Sequence, residues 1–528
     1  MDQPHPDRRA LLMTMLAGLA GGAGAARAAT GPDLGSPEPF SHELLIARAR
    51  AMARMPYSPP PRPAPEIVER IDYDAHGKLR TRPDRALWGG EGGVYPITFV
   101  HVGRYFPKTV RLHEVRNGQA RELLYSPELF TVPEGHVAVG LGSGSSAFAG
   151  FWVQESRRSG PWAKREPWVT FSGASYFRAV GALGQVGLSA RGIALDVAAP
   201  TPEEFPDFTH FWLEPTAAEG DPQIVWALLD GPGITGAYRF AMRRTRAVIM
   251  EVDCHLFPRR SIERLGIAPL TSMFWYGEYP SNHAQDWRPE VHDSDGLAIW
   301  NGQGERVWRP LNNPPRLVTS SFLDQSPRGF GLAQRDRNYD HYLDGVSYHR
   351  RPTAWVEPLG DWGRGAVQLV EIPTDDEIYD NIVAFWLPEA PTLAGSEHHY
   401  AYRLHWDEFE PYFPVESMAR VVATRVGRGG EPGKPRPPGT VKLAIEFDGA
   451  PLGNIPYGAR PELVAEASRG TVSLRRTEPI WYTPRWLGTF DLSVDGSEPI
   501  ELRCYLAQDG KPLTETWLYQ LHPALRRG

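Results

Sequence analysis

Two acidic clusters contain the residues most able to perform acid–base chemistry. The first, at 292–296, places Asp293 and Asp295 just before a probable hairpin whose strands carry Trp300 and Trp308. Two carboxylates at a strand entrance beside aromatic rings form a candidate functional cluster. The alternative is an Asx-type turn, in which both aspartates accept hydrogen bonds from backbone amides.

The second cluster spans 374–380 and leads directly into the run 381–386, which is apolar on both faces. Such a run predicts a buried strand, with Glu377 and Asp380 at its mouth. A carboxyl group at the mouth of a buried strand is well placed for a raised pKa and for general-acid catalysis. The alternative is an ordinary solvated loop.

Between the clusters, residues 328–363 interleave aromatic and charged side chains, among them Tyr348, Trp355 and Glu357. The chain contains 17 Trp, 20 Tyr and 21 Phe residues. A carbohydrate cleft needs this mixture, because rings stack on sugar C–H faces while charged groups bind hydroxyls. Surface loops with ordinary ion pairs would give the same pattern.

Other kinds of chemistry find little support. The run 187–191 resembles a serine-hydrolase elbow, but Arg191 replaces its final glycine, and no helix alternates with the strands. The sequence has no HExxH motif and no zinc spacing of Cys and His, so we predict no required metal and no cofactor. A net charge of -7 without a dense basic stripe argues against nucleic acid as a partner.

Short β-branched and aromatic runs between Gly, Pro, Asn and Asp turns predict an all-β protein. Predicted strands include 95–102, 137–139, 224–229, 247–252 and 381–386, and helical periodicity is convincing only near 42–55.

A Pro-rich break within 407–438 suggests two domains. We predict a large β-sandwich over 35–405 with a ligand cleft, a linker at 406–416 and an immunoglobulin-like sandwich over 417–528. Cys254 and Cys504 are expected to be two buried thiols, since the predicted boundary separates them.

Residues 1–28 have the form of an export signal. Arg8 and Arg9 precede an almost uncharged run that ends in Ala26-Arg27-Ala28, so the mature chain is expected to begin at Ala29. The paired arginines suggest the twin-arginine route to the bacterial periplasm. An uncleaved membrane anchor is the alternative, but the run is rich in Gly and Ala and short for a span, so we expect no membrane insertion after cleavage.

Long motifs resemble the OpgG/OpgD (MdoG) family over nearly the whole mature chain, and the twin arginines make it more similar to the OpgD branch. These motifs lie at 173–180, 187–192, 204–208, 234–238, 309–314, 351–352, 355–358, 380–383 and 515–520.

The resemblance implies a periplasmic protein of osmoregulated glucan biosynthesis, with a large galactose-mutarotase-like β-sandwich followed by an immunoglobulin-like domain. It implies action on β-1,2-glucan as an inverting endo-glucanase or a related transglycosylase. The family's general acid falls on Asp380 and its general base on Asp293, with Glu377 and Tyr348 in the same cleft. Further candidates for substrate contact are Asp295, Trp355, Glu357, Arg178, Tyr176 and Trp300.

The family's proton transfer is expected to pass through a substrate hydroxyl and a chain of waters, which allows a longer gap between Asp293 and Asp380 than inverting enzymes usually have. The segment 427–434 is shorter than in OpgD proteins, and loops from it can border the cleft. Whether water or a sugar hydroxyl attacks depends on how these loops exclude water from the reacting carbon, so hydrolysis and transglycosylation both stay open. The competing hypothesis is a non-catalytic protein that guides nascent glucan. In either case membrane glucan synthase machinery is an expected partner.

Overall fold

The computed structural model describes residues 31–142, 146–278 and 286–523. The fold is all-β, as predicted, with 45% of the residues in strands and 9% in helices. The predicted export signal at 1–28 lies outside the described residues.

The first strands, in chain order, are β1 (Leu34–Pro39), β2 (Arg80–Thr81), β3 (Ile97–His101), β4 (Arg111–Arg116), β5 (Gln119–Leu123), β6 (Phe130–Thr131), β7 (Phe148–Val153), β8 (Val169–Ser172), β9 (Tyr176–Ala179), β10 (Ser189–Arg191), β11 (Ala194–Leu195) and β12 (Asp207–Glu214). The next are β13 (Gln223–Asp230), β14 (Ile234–Arg244), β15 (Val248–Pro258), β16 (Leu265–Ser272), β17 (Phe274–Tyr276), β18 (Val291–His292), β19 (Gly296–Trp300), β20 (Arg306–Pro310), β21 (Val318–Gln325), β22 (Gly329–Ala333), β23 (Thr353–Leu359) and β24 (Arg364–Glu371). The last are β25 (Ile382–Pro388), β26 (His398–Asp407), β27 (Arg420–Arg428), β28 (Thr440–Asp448), β29 (Glu462–Ala467), β30 (Thr471–Pro479), β31 (Arg485–Ser493), β32 (Ile500–Gln508), β33 (Lys511–Pro512) and β34 (Thr516–Leu521).

The described helices are short. The α-helices are α1 (His42–Met52), α2 (Pro65–Val68), α3 (Tyr73–Gly77) and α4 (Ala450–Gly453). The 3-10 helices span Pro83–Arg85, Pro127–Leu129, Val137–Leu141, Trp162–Lys164, Tyr339–His341 and Tyr348–Arg350. Within the described residues, no helix has the length and apolar character that a membrane crossing requires.

The strand predicted at 137–139 is wrong, because this segment forms part of the 3-10 helix Val137–Leu141. The His136 side chain caps it by accepting a hydrogen bond from the Ala138 amide at 3.1 Å. A local side-chain cap of this kind competes with strand pairing.

The chain forms two compact units. Unit 1 contains the residues up to Thr271 together with Pro358–Gly365 and Phe385–Trp406, and unit 2 contains Ser272–Glu357, Ala366–Ala384 and Asp407–Gly528. The predicted domain ranges 35–405, 406–416 and 417–528 stay predictions. The contacts do show that the strands after Asp407 group with earlier segments, and β34 pairs in parallel with β20.

Unit 1 is a sandwich of two sheets. One has the strand order β1-β5-β4-β12-β13-β14-β15-β26, and the other contains β16-β10-β9-β8-β7-β3. Phenylalanine rings from both sheets meet between them, as in the pair Phe171 and Phe211 at 5.5 Å and the pair Phe171 and Phe240 at 5.1 Å. These buried rings supply the apolar contact that holds the two layers together.

Unit 2 has a core between the sheet β23-β22-β19-β20-β34-β32-β29 and the sheet β27-β28-β31-β30. Alternate residues of β32, including Ile500, Leu502 and Cys504, point into this core, as the sequence pattern predicts. Cys254 and Cys504 are both free and buried, which confirms the expectation of two buried thiols.

Candidate functional site

Asp293 lies in unit 2 at the end of the small ribbon formed by β17 and β18. Phe274 of β17 pairs with His292 of β18, and the Asp293 amide donates to the Met273 carbonyl at 2.8 Å. The Asp293 side chain is 1% exposed and forms an ion pair with Arg351. The pair requires Asp293 as a carboxylate, which is the form that a general base uses.

Asp380 ends the loop between β24 and β25 and is half-buried. The next residue, Asn381, is buried, and its side-chain oxygen accepts a hydrogen bond from the Phe274 amide at 2.8 Å. Its side-chain nitrogen donates to the carbonyls of Phe274 at 2.9 Å and Ile372 at 3.0 Å. Asn381 thereby ties the two ends of this loop to β17.

The start of the same loop is tied to β17 by a second asparagine. Asn313 donates to the carbonyls of Trp275 at 3.0 Å and Thr374 at 2.7 Å, and it accepts from the Thr374 amide at 2.9 Å. The motif at 309–314 therefore has a structural role, because its Asn313 fixes the start of this loop.

Two consecutive residues, Met273 and Phe274, therefore anchor the chain at the two candidate catalytic aspartates. Met273 holds the backbone of Asp293, and Phe274 holds the residue after Asp380. Backbone hydrogen bonds of this kind leave little freedom for either segment, so both carboxyl groups sit on a rigid support.

Tyr348 and Glu377 extend the site from Asp293 towards the Asp380 loop. The Arg351 guanidinium lies 4.1 Å from the centroid of the Tyr348 ring, and the Tyr348 hydroxyl donates to Glu377 at 2.6 Å. Arg288 donates to both Glu377 oxygens, at 2.9 and 3.1 Å. The structure thus connects three of the residues that the family resemblance assigns to the cleft, Asp293, Tyr348 and Glu377, through Arg351. The fourth, Asp380, follows Glu377 in the same loop.

Sequence reasoning missed Arg351 and Arg288 as site residues. Arg351 stands in a family motif at 351–352, which was the available signal, whereas nothing in the local pattern distinguishes Arg288. Besides Glu377, Arg288 pairs with Asp286 at 2.7 Å and Asp344 at 3.1 Å. These carboxylates raise the pKa of Arg288, with the hydrogen bonds that Arg288 donates to Asp286 as the largest cause, so it remains a fixed cation in the site.

Asp295 has a different environment from Asp293. Its side chain accepts hydrogen bonds from the backbone amides of Arg335 and Asp336, which fits the alternative reading of the first acidic cluster. Burial raises the pKa of Asp295, with His292 acting in the opposite direction. Asp295 therefore binds backbone amides, whereas Asp293, two residues earlier, forms an ion pair with Arg351.

His292 joins Asp295 in a buried charged cluster around a cavity of about 40 Å³. Its two ring nitrogens lie 3.0 Å from the Gln334 side-chain oxygen and 2.8 Å from Glu290. Burial disfavours the charged ring, but the carboxylates of Asp295 and Glu290 outweigh burial and raise the pKa of His292 to about 9. The imidazolium balances these buried carboxylates.

Three groups among the described residues have ligand atoms close enough for a metal ion. They are His42 with Asp253 and His255, Glu290 with Asp336 and His341, and Glu290 with His292 and Asp295. In the last group the two ring nitrogens of His292 lie within hydrogen-bond distance of Gln334 and Glu290. The absence of a required metal or cofactor stays a prediction.

Trp300, Trp355 and Glu357 also belong to unit 2. Trp300 is partly exposed at the end of β19, with the Arg306 guanidinium 3.8 Å from its ring centroid. Trp355 is 1% exposed and packs in the unit 2 core. Glu357 accepts a hydrogen bond from the Tyr412 hydroxyl at 3.3 Å.

Tyr176 and Arg178 lie on β9 of unit 1, pointing to the same face of that strand. Tyr176 is 8% exposed, and Arg178 is half-buried. These two residues, both predicted to contact substrate, therefore lie in a different unit from Asp293 and Asp380.

Comparison with known proteins identifies the family of this chain. A family model described as "Periplasmic glucan biosynthesis protein, MdoG" matches residues 40–521. The chain belongs to the MdoG family. The match includes both acidic clusters and the segments that anchor them, and it confirms the family resemblance seen in the motifs.

Curated MdoG-family relatives are similar along nearly their full length. Glucans biosynthesis protein D 2 of Ralstonia nicotianae is 55% identical over 506 residues, covering 94% of each chain. Glucans biosynthesis protein D of Stenotrophomonas maltophilia is 45% identical over 493 residues, covering 93% of this chain and 91% of the relative. The protein of that name from Xanthomonas campestris is 43% identical over 495 residues, covering 93% of this chain and 92% of the relative. These names support the predicted similarity to the D branch.

Proposed function

We propose that this protein acts on β-1,2-glucan in the periplasm as an inverting endo-β-1,2-glucanase or a related transglycosylase. Membership of a periplasmic glucan biosynthesis family supports the substrate class and the compartment. The observation that carries the proposal is the connected arrangement of Asp293, Arg351, Tyr348 and Glu377 with the loop that ends at Asp380.

In the proposed reaction, Asp380 donates a proton to the leaving glycosidic oxygen as the C–O bond breaks. Asp293 accepts the proton of the attacking hydroxyl, by way of a substrate hydroxyl and waters, as the new C–O bond forms on the opposite face. Water as the attacking group gives hydrolysis, and a sugar hydroxyl gives transglycosylation.

The other site residues support these two roles. Arg351 forms an ion pair with the Asp293 carboxylate and so orients it. Tyr348 and Arg288 hold Glu377, which lies in the same loop as Asp380, and so they position the general acid. Under this proposal the substrate reaches the protein from the membrane glucan synthase machinery.

The test uses the full chain, linear β-1,2-glucan and mass spectrometry of the products. We expect shorter chains for a glucanase, or products lighter by one water for a cyclising transglycosylase. Asp380→Asn and Asp293→Asn should each lower turnover by orders of magnitude, because each removes one proton transfer. Asp375→Asn is the matched control, since Asp375 is an exposed residue of the same loop.

Three outcomes would count against the proposal. Near-normal turnover by Asp380→Asn would remove this residue as the general acid. An equal loss in Asp375→Asn would show that loop charge matters rather than one carboxyl group. Glucan that binds but stays intact would favour the non-catalytic guide protein.

A further inference from the structure

Unit 1 has a cavity of about 560 Å³ whose lining comes from unit 1 alone. This volume lies within the range of roughly 300–1,000 Å³ that is usual for ligand sites. The lining combines two family motifs, at 173–180 and 204–208, which the arrangement around Asp293 and Asp380 does not use.

Aromatic rings form much of the cavity wall, including Tyr105, Tyr176 and Phe205. A buried guanidinium fixes two of them, since Arg191 lies 4.9 Å from the ring centroid of Tyr176 and 5.3 Å from that of Phe205. Arg191 is held in turn by Glu203 at 2.5 Å. Rings fixed in this way present their faces without a large loss of side-chain entropy on binding.

Residues 172–174 form another part of the wall. Gly173 has φ +73° and Ala174 has φ +43°, so the chain turns through the left-handed region at this point. A non-glycine residue rarely adopts such a conformation, and it is retained where the surroundings determine it. The small side chains of this turn leave the cavity open instead of filling it.

Four of the five charged side chains that line the cavity form two ion pairs, and the fifth is Arg62. Lys108 donates to Asp207 at 2.7 Å, and Arg104 lies 3.2 Å from Glu69. Each pair offers both donors and acceptors while its charges largely cancel. A polyanion would need several uncompensated cations, whereas a neutral polyhydroxyl ligand needs donors and acceptors beside ring faces.

We propose that this cavity is a carbohydrate-binding site of unit 1 that takes glucose units of a β-1,2-glucan chain, with Tyr176 and Phe205 as stacking surfaces. The inference deepens the proposed function and rests on it, because it takes the same glucan as ligand. Its contribution is affinity for the chain, and no bond is made or broken in it.

The experiment measures the binding of linear β-1,2-glucan by isothermal titration calorimetry, using the full chain with Asp380→Asn as background. Tyr176→Ala should raise Kd about tenfold through loss of one stacked ring, and Tyr176→Phe, which keeps the ring, should retain binding. Arg104→Met removes a second lining side chain and should also raise Kd, and because its ion pair with Glu69 is exposed, no buried charge loses its partner. Tyr457→Ala, at a ring 97% exposed in unit 2, is the matched control.

Unchanged Kd in both Tyr176→Ala and Arg104→Met, with melting temperatures like that of the parent, would overturn this site. An equal loss in Tyr176→Phe and Tyr176→Ala would also overturn it, since the ring face would not be the contact. The two proposals fail separately. Turnover by the native chain with unchanged binding in these variants removes only the unit 1 site, whereas binding lost in the variants without any native turnover removes only the enzymatic function.

Discussion

Replacing Tyr348 with phenylalanine removes one oxygen atom from the centre of the site. The ring of Tyr348 is 1% exposed, and its hydroxyl donates to Glu377 at 2.6 Å. Phenylalanine keeps the ring and its contact with Arg351, so the change isolates the hydroxyl. Glu377 keeps both hydrogen bonds from Arg288 and is not left unpaired.

These contacts set the size of the effect. A hydrogen bond to a charged group contributes about 1.5–3 kcal/mol net. The low end applies, because Glu377 retains its bonds to Arg288. A loss of about 1.5 kcal/mol from the transition state corresponds to about tenfold in kcat. The fold should persist, since no buried charge loses its last partner.

The assay follows new reducing ends, or the corresponding cyclised products, from linear β-1,2-glucan at saturating substrate. Tyr342→Phe is the matched control. Its ring is also fully buried, 5.9 Å from that of Tyr348, but its hydroxyl donates to the Asp336 carbonyl. A Tyr348→Phe rate within twofold of the native rate, or an equal loss in Tyr342→Phe, would refute the reasoning.

Two further predictions concern stability. Burial disfavours the charged form of His292, but Asp295 reverses this and raises the pKa to about 9, above an ordinary value of about 6.5. This stabilisation is complete below about pH 6.5 and is lost as the pH rises through about 9, so Tm should fall across that window. Thermal melts should show a smaller fall in His292→Gln; parallel curves would contradict this. Arg309→Met should cost about 3–5 kcal/mol in urea unfolding, because it removes the cation that pairs with the buried carboxylate of Glu371. Arg316→Met, at an exposed ion pair, should cost at most about 1 kcal/mol, and equal losses would contradict the role of burial.

Local patterns in the sequence were sufficient for many elements. Alternating apolar residues predicted the strand that contains Cys504, and the run at 381–386 predicted the start of β25. The hairpin of β19 and β20 follows from turn residues between two apolar runs. At 137–139 the same reasoning failed, because a side-chain cap from His136 decided the conformation.

The sequence by itself determined the all-β class, the two acidic clusters and, through its motifs, the family. It did not determine which carboxylate pairs with which cation. Asp293 meets Arg351, and Glu377 meets Tyr348 and Arg288, only in the folded chain.

Only the tertiary structure joined the two clusters. Asn381 bonds to Phe274, while Asp293 bonds to Met273, so two consecutive residues at the start of β17 hold Asp293 and the residue after Asp380. Sequence patterns report the periodicity of one segment at a time. Contacts between distant segments depend on how several elements pack together, and a pattern within one segment carries no information about that packing.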